Sequence, residues 1–212
     1  MQPKTLDHVA FWVADRHAIA NTLTTRLGVH EIDRQANFTL LGADARRFKL
    51  TLFDAEGPRK PGAFVHVALR VNRLPDGATE FDAGEGLRVV LVESSTEVDY
   101  DLDHVALRSA DPRATAIEYE RYGFRPAGPA RVEVGGAYVE LQEGDPAHED
   151  RPLLNHLAVL VDSADDAVAD ADELGIEVES TVDAANTYAA FLVGPEAVRI
   201  EYVEHKPSFS LR

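Results

Sequence analysis

The feature that most constrains this chain is a short motif that occurs four times. Each copy consists of a histidine, an aliphatic residue, an alanine and further strand-forming residues, and the copies begin at His8, His66, His104 and His156. The intervals between these histidines are 58, 38 and 52 residues. Four such matches in 212 residues indicate a duplicated structural unit, because recurrent self-similarity is the sequence signature of repeated supersecondary structure.

The residues that follow the motif repeat as well. In three units a side chain that can cap a helix follows seven residues after the histidine: Asp15, Asp111 and Ser163. About twelve residues later comes a glycine that can end the helix: Gly28, Gly123 and Gly175. Strand-forming segments follow each glycine, so the pattern predicts a β-α-β-β-β unit.

The second unit is shorter than the others. Pro75, Gly77 and Gly84 interrupt the helix expected after His66, and only one further strand, residues 87–93, fits before the third unit. A polar, turn-rich join lies near residue 98. We therefore expect an α+β protein of four units with the second truncated, divided into an N-terminal half, 1–98, and a C-terminal half, 99–212.

Composition limits the classes of partner. Asp and Glu outnumber Lys and Arg by 37 to 21, giving a net charge of −16, which argues against nucleic-acid binding and against anionic membrane surfaces. The chain has no cysteine, which excludes disulfides, zinc–thiolate sites and thiol nucleophiles. It has neither an apolar run near the ~20 residues of a membrane span nor a signal-peptide pattern at its N-terminus. The expectation is a cytoplasmic protein whose partner is a small molecule.

Two glutamates stand in the middle of predicted strands near the ends of the third and fourth units. Glu140 lies between Val139 and Leu141, and Glu201 between Ile200 and Tyr202, where a charged carboxylate needs a partner. A divalent cation held together with His104 and His156 would supply that partner. Two imidazoles and one carboxylate are the set used by non-haem Fe(II), whereas a second carboxylate would suit a Lewis-acid metal.

The first half lacks such a carboxylate. The residue that corresponds to Glu201 is Thr51 in the first unit, and the second unit offers Val90 or no equivalent strand. Two imidazoles without an anionic partner form a weak site. We therefore expect His8 and His66 to be core residues of a structural half.

The fourfold unit, with histidine on each first strand and glutamate on the last strands, resembles the vicinal oxygen chelate superfamily over about residues 5–205. This superfamily includes glyoxalase I, methylmalonyl-CoA epimerase, the bleomycin- and fosfomycin-resistance proteins and the type I extradiol dioxygenases. The resemblance implies paired units that form incomplete barrels around a metal. A four-unit chain with a loaded second half is similar to the extradiol dioxygenases, which implies His104, His156 and Glu201 as ligands.

Other members of the superfamily imply other chemistry. With Glu140 included, the order His, Glu, His, Glu resembles bacterial glyoxalase I and implies Glu140 or Glu201 as a catalytic base and Glu140 as a further ligand. Extradiol enzymes usually carry a histidine and a tyrosine before the last ligand. Here residues 177–191 contain no histidine, and Tyr188 is the nearest phenol and the candidate catalytic tyrosine. A binding protein without turnover, similar to the resistance proteins, remains a third hypothesis.

Four further side chains are candidates for substrate binding: Arg108, Tyr138, Phe191 and Arg199. The arginines would either bind an anionic substrate or neutralise the glutamates. The expected cofactor is one divalent metal, Fe(II) in the first place, with Ni, Co, Zn or Mn as alternatives. A homodimer is also compatible with this family, since incomplete barrels can close between chains.

Overall fold

The computed structural model describes residues 1–42, 48–74 and 79–209, as three helices and fifteen strands. The helices are α1 Arg16–Leu27, α2 Pro112–Glu120 and α3 Ala164–Leu174. In the first two units the strands are β1 Thr5–Val13, β2 His30–Arg34, β3 Phe38–Gly42, β4 Lys49–Asp54, β5 Phe64–Val71, β6 Glu80–Asp82 and β7 Arg88–Glu93. In the last two they are β8 Asp101–Ser109, β9 Arg125–Gly128, β10 Arg131–Val134, β11 Ala137–Glu143, β12 Leu154–Leu160, β13 Val178–Asp183, β14 Thr187–Val193 and β15 Arg199–His205.

The helix boundaries follow the predicted capping residues. The Asp15, Asp111 and Ser163 side chains each accept a hydrogen bond from the backbone N–H three residues later, which satisfies one free donor of the first turn. Gly28 and Gly175 end α1 and α3 in the left-handed conformation. The middle helix, α2, ends before Gly123, because Arg121 is its C-cap and a short turn precedes the glycine.

The second unit is truncated, as expected, and it has no helix among its described residues. Its strands are β5, β7 and the three-residue β6, which sequence analysis did not anticipate. Of the three residues that interrupt the pattern, Gly84 adopts a φ of +132°, and Pro75 and Gly77 lie outside the described residues.

The sheets combine the units in an unexpected way. One sheet has the order β13-β14-β15-β12-β1-β4-β3-β2 and joins the first unit to the fourth. The other has the order β6-β7-β5-β8-β11-β10-β9 and joins the second unit to the third. The expected halves, 1–98 and 99–212, therefore do not coincide with the sheets. All four first strands carry nearly the same pattern, so the sequence does not specify which pairs will form.

Each sheet is built around two antiparallel first strands. In the first sheet β1 pairs with β12, and in the second β5 pairs with β8. The last long strand of each unit then lies parallel to its own first strand. This gives each sheet an approximate twofold relation, which brings the two histidine-bearing strands side by side.

The apolar faces of the strands form the core together with the helices. Val9, Phe11 and Val13 alternate with His8 along β1 and are fully buried, as period-two alternation predicts. The Phe11 ring meets that of Phe64 from the other sheet edge-on, with the ring centroids 5.1 Å apart. The opposite faces of the central strands carry the four motif histidines.

Candidate metal centre

Three side chains of the first sheet converge on one point. His8 on β1, His156 on β12 and Glu201 on β15 present ligand atoms to one another. The two Nε2 atoms are 3.1 Å apart, and Glu201 Oε2 lies 3.1 Å from His8 Nε2 and 3.0 Å from His156 Nε2. The register explains this convergence, because Ala10 pairs with His156 and Ala158 pairs with Glu201. We call these three residues the first cluster.

The far side of each imidazole in the first cluster is occupied. Asp7 Oδ2 lies 2.9 Å from His8 Nδ1, and Asn155 Oδ1 lies 2.9 Å from His156 Nδ1. The Nε2 atoms therefore face the carboxylate while the Nδ1 atoms face acceptors. Metal-binding histidines in proteins are held in this way.

The carboxylate of the first cluster is buried. Glu201 is 7% exposed, and its Oε2 has no hydrogen-bond donor of suitable geometry in the described part of the chain. Burial alone would raise the pKa of Glu201, but the charges of His156 and His8 outweigh it and lower that pKa. A buried carboxylate facing two imidazoles is a donor set that a divalent cation fits.

The two imidazoles respond differently to the same surroundings. Burial acts to lower the pKa of His8, but the charge of Glu201 and the hydrogen bond with Asp7 raise it to about 9. The pKa of His156 is lowered, because burial outweighs the charge of Glu201. Without a cation, His8 therefore supplies the positive charge that balances Glu201.

A second group of the same type lies on the other sheet. His66 on β5, His104 on β8 and Glu140 on β11 form what we call the second cluster. The two Nε2 atoms are 3.0 Å apart, and Glu140 Oε2 lies 3.7 Å from His104 Nε2. The register repeats that of the first cluster, with Ala68 opposite His104.

The carboxylate of the second cluster is already engaged. Arg131 donates two hydrogen bonds to Glu140 Oε1, and Gln142 Nε2 lies 3.3 Å from Glu140 Oε2. Arg131 also covers the ring of Tyr138, with its guanidinium carbon 4.9 Å from the ring centroid, and Tyr138 stacks on His104 at 4.6 Å. Burial would raise the pKa of Glu140, but the hydrogen bonds from Arg131 and Gln142 lower it.

Each cluster contains a single glutamate, because another residue type holds the fourth position, which the approximate twofold relation of the sheet pairs with that glutamate. Thr51 on β4 pairs with Ala10 as Glu201 pairs with Ala158, so it occupies the twofold-related position of the first cluster. Val90 on β7 pairs with Ala68 and holds that position in the second. Both clusters are therefore two-histidine, one-carboxylate sets.

The expected single site in the C-terminal half is not what the structure forms. His156 and Glu201 belong to the first cluster, whereas His104 and Glu140 belong to the second. Each set is completed by a histidine that sequence analysis assigned to the core, His8 or His66. The repeat itself carried the signal for these two residues, because all four copies of the motif contain the histidine.

Tyr188 does not lie at either cluster. It stands on the face of β14 opposite to that of Phe191 and hydrogen-bonds to Asp165 of α3, a contact that raises its pKa. Strand alternation turns this side chain towards the helix layer, so the structure does not bring the expected catalytic tyrosine to the first cluster or to the wall of its cavity.

The expected substrate-binding residues have different surroundings. Phe191 meets His156 edge-on at 5.2 Å and forms a wall of the first cluster. Arg199 lies over the Phe191 ring and donates a hydrogen bond to Asn155 Oδ1 at 2.9 Å. It therefore contacts the residue that holds His156, and not the metal-facing side of the cluster. Tyr138 belongs to the second cluster, and Arg108 is exposed, with its stem beside Gly144. Neither Arg108 nor Arg199 pairs with Glu201 among the described ion pairs.

A cavity of about 820 Å³ adjoins the first cluster. His8 and Glu201 lie in its wall together with Thr51, Phe53 and His205. The size is sufficient for a small organic molecule. Sequence analysis did not single out His205, because its strand ends at this residue and parity alone aligns it with Glu201.

Solved structures of other proteins share this fold. A protein of Bacillus subtilis named as a candidate dioxygenase is similar over 97% of this chain and 86% of its own, with a TM-score of 0.76 and 14% identity. Glyoxalase I from Zea mays is similar over 94% of this chain and 92% of its own, with a TM-score of 0.72 and 15% identity. The cppA protein of Streptococcus pneumoniae is similar over 95% of this chain and 98% of its own, with a TM-score of 0.64 and 12% identity. Identities this low show a shared fold.

Neither a protein-family model nor a curated protein matches the sequence. Within the described residues, no helix combines the length and the apolar character that crossing a membrane would require.

Proposed function

The chain has the fold of the vicinal oxygen chelate superfamily, and from that premise we propose that it is a metal-dependent enzyme whose active site is the first cluster. The convergence of His8, His156 and Glu201 within hydrogen-bond distance of one another carries this proposal. The adjoining cavity would hold a small substrate that chelates the metal through two neighbouring oxygens.

The residues of the first cluster fit one divalent cation. Two imidazole nitrogens and one carboxylate oxygen are the facial set that suits Fe(II) and that leaves coordination positions open. Bound there, Fe(II) would supply the means of activating molecular oxygen and a chelated substrate together. Other divalent ions would fit the same donors, since availability as well as ligand type decides occupancy.

Thr51 favours an extradiol-type oxygenase over a glyoxalase-type enzyme. The resemblance to glyoxalase I implies a four-ligand site with two glutamates. In the first cluster the neutral hydroxyl of Thr51 stands in the position of the second glutamate. Glu140, the expected base, belongs to the second cluster and is bound by Arg131. The open positions that two imidazoles and one carboxylate leave are what a catechol bound through two oxygens and molecular oxygen together require.

Aromatic side chains shape the space beside His156. The Phe191 ring lies 5.2 Å and the Phe53 ring 6.2 Å from the imidazole, measured between centroids. Phe53 also lines the cavity. These rings exclude water from the metal side and offer flat surfaces to a planar substrate.

Oxygen uptake tests this proposal. The protein is loaded with Fe(II) without air and then mixed with catechol in oxygenated buffer, while metal content is measured in parallel. We expect uptake in the wild-type protein, loss of bound iron and of uptake in Glu201→Gln, and uptake close to wild type in the matched Glu140→Gln variant of the second cluster.

Three other outcomes would overturn the oxygenase. Activity on a hemithioacetal with Ni(II) or Co(II), without oxygen uptake, would show a glyoxalase-type enzyme. Tight binding of catechol by the metal-free protein without turnover would show a binding protein. Loss of uptake in Glu140→Gln but not in Glu201→Gln would place the reaction at the second cluster.

A further inference from the structure

The residue directly before each histidine of the first cluster holds the imidazole from behind. Asp7 does this for His8 and Asn155 does it for His156, each with an oxygen 2.9 Å from Nδ1. Both acceptors are buried, with 4% and 5% exposed. The side chains thus make a contact between successive residues, although their positions point to opposite faces of the strand.

Each acceptor is in turn held by its own cation. Lys49 Nζ lies 2.8 Å from Asp7 Oδ1, and Arg199 Nη1 lies 2.9 Å from Asn155 Oδ1. Lys49 is itself 2% exposed, so this pair is fixed inside the protein. Each histidine of the first cluster therefore ends a chain of two hydrogen-bonded contacts, from cation to acceptor and from acceptor to imidazole. We call each of these chains a relay.

The relay through Arg199 fixes the proton of His156. A guanidinium only donates hydrogen bonds, so the Asn155 atom that it contacts must be the amide oxygen. The same oxygen faces His156 Nδ1, which must then carry the hydrogen. His156 Nε2 is left with a lone pair aimed at Glu201, which is the form that a metal ligand needs.

We propose that Asp7 and Asn155, clamped by Lys49 and Arg199, are positioning residues that make the first cluster the tighter metal site of the chain. This inference rests on the proposed metal site but not on the reaction assigned to it. A fixed tautomer and a fixed ring angle remove the reorganisation that an unsupported imidazole must undergo on binding a cation.

The second cluster has only half of this arrangement. Asp103 Oδ1 lies 2.7 Å from His104 Nδ1, and Arg70 Nε lies 3.0 Å from Asp103 Oδ2. His66, however, follows Val65, which has no polar side chain to hold its ring. Within the described residues, one of the two imidazoles there thus lacks the preceding polar side chain that supports both imidazoles of the first cluster.

Asn155 provides the sharpest test, because it can be replaced without leaving a charge buried. Co(II) alone is the probe, its affinity is measured by competition with a chromophoric chelator, and its visible spectrum reports the ligand field. We expect Asn155→Leu to weaken the tighter Co(II) site by 10–100-fold and to alter the spectrum. Asn155→Asp, which keeps the acceptor oxygen, should bind within about threefold of wild type and restore the spectrum.

Two further variants locate the effect. Asp7→Leu combined with Lys49→Met removes the acceptor and the cation of the other relay without an unpaired buried charge, and should weaken the same site by 10–100-fold. Asp103→Leu combined with Arg70→Met is the matched change in the second cluster and should leave the tighter site unchanged. Thermal melting of each metal-free variant shows that it is folded at the temperature of the titration.

The outcomes separate this inference from the proposed reaction. Unchanged Co(II) affinity and spectrum in folded Asn155→Leu would overturn the positioning role while the metal site stands. A tighter site that is lost in Glu140→Gln rather than Glu201→Gln would overturn the ranking of the clusters, and a wild-type protein that binds no Co(II) would overturn both proposals. Positioning effects on Co(II) together with no oxygen uptake would uphold the inference and reject the oxygenase.

Discussion

Replacing Thr51 by glutamate tests the twofold relation that the sheet imposes on the first cluster. The register places this side chain opposite Glu201 across the two histidines, buried at 6% exposure in the cavity wall. Thr51→Glu therefore adds a second carboxylate. At a separation of ~4 Å and an effective dielectric constant of ~20, two carboxylates repel by about 4 kcal/mol. The protonated ring of His8 offsets part of this, so we expect the metal-free variant to lose about 2–4 kcal/mol.

For a chain of this length such a loss lowers the melting temperature by roughly 5–15 °C. A divalent cation should restore the melting temperature, because it attracts both carboxylates and takes the added one as a fourth ligand. The assay is thermal melting with chelator and with Co(II), and oxygen uptake should disappear because an open position is filled. Thr51→Gln controls for size, and Val90→Glu is the same change in the second cluster. An equal loss of melting temperature with and without Co(II) would refute the placement of Thr51 at the metal.

Three other predictions follow from single residues. Tyr188→Phe should leave oxygen uptake and Co(II) affinity within about twofold of wild type, because the phenol faces α3; a tenfold loss would return it to the site. Gly135→Ala should cost more than about 2 kcal/mol in urea unfolding, since its φ is +61° and an added Cβ would lie 2.3 Å from the Lys4 carbonyl oxygen, whereas Gly136→Ala, with nothing within 4 Å, should cost less. In chelator-treated protein, His8 should contribute up to about 3 kcal/mol to the free energy of unfolding below pH ~6.5, and this contribution should be lost as pH rises through about 9, because folding raises the pKa of His8. His8→Gln should abolish this pH dependence of stability. A pH dependence that persists in the variant would assign it to another group.

The sequence was sufficient to predict the order of helix and strands in the first, third and fourth units. Capping side chains, helix-ending glycines and alternating strands are local signals, and each is read from a few neighbouring residues. Asp15 and Ser163 cap their helices as expected, and Gly28 and Gly175 end theirs. The resemblance to the vicinal oxygen chelate superfamily rested on the repetition of these local signals together with the histidines and glutamates, and the solved structures that share the fold agree with it.

The chemical types of the ligands were also predictable, but their grouping was not. Sequence analysis proposed His156, Glu201, His104 and Glu140 as metal ligands, and the structure places each of them in one of the two clusters. Thr51 was expected as the counterpart of Glu201 in the first unit, and Val90 was one of two alternatives for the second; the register places both there. Even so, sequence analysis placed all four donors in one site.

Tertiary structure alone decided which first strands lie side by side. A strand pattern specifies the faces of a strand but not the partner at its edge, and four nearly identical first strands offer several pairings of similar local quality. The pairing of β1 with β12 brings His8 to His156, and the pairing of β5 with β8 brings His66 to His104. The sequence alone thus determined which residue types are available to hold a cation. Their division into two clusters arose from contacts between segments more than a hundred residues apart in one sheet and about forty in the other.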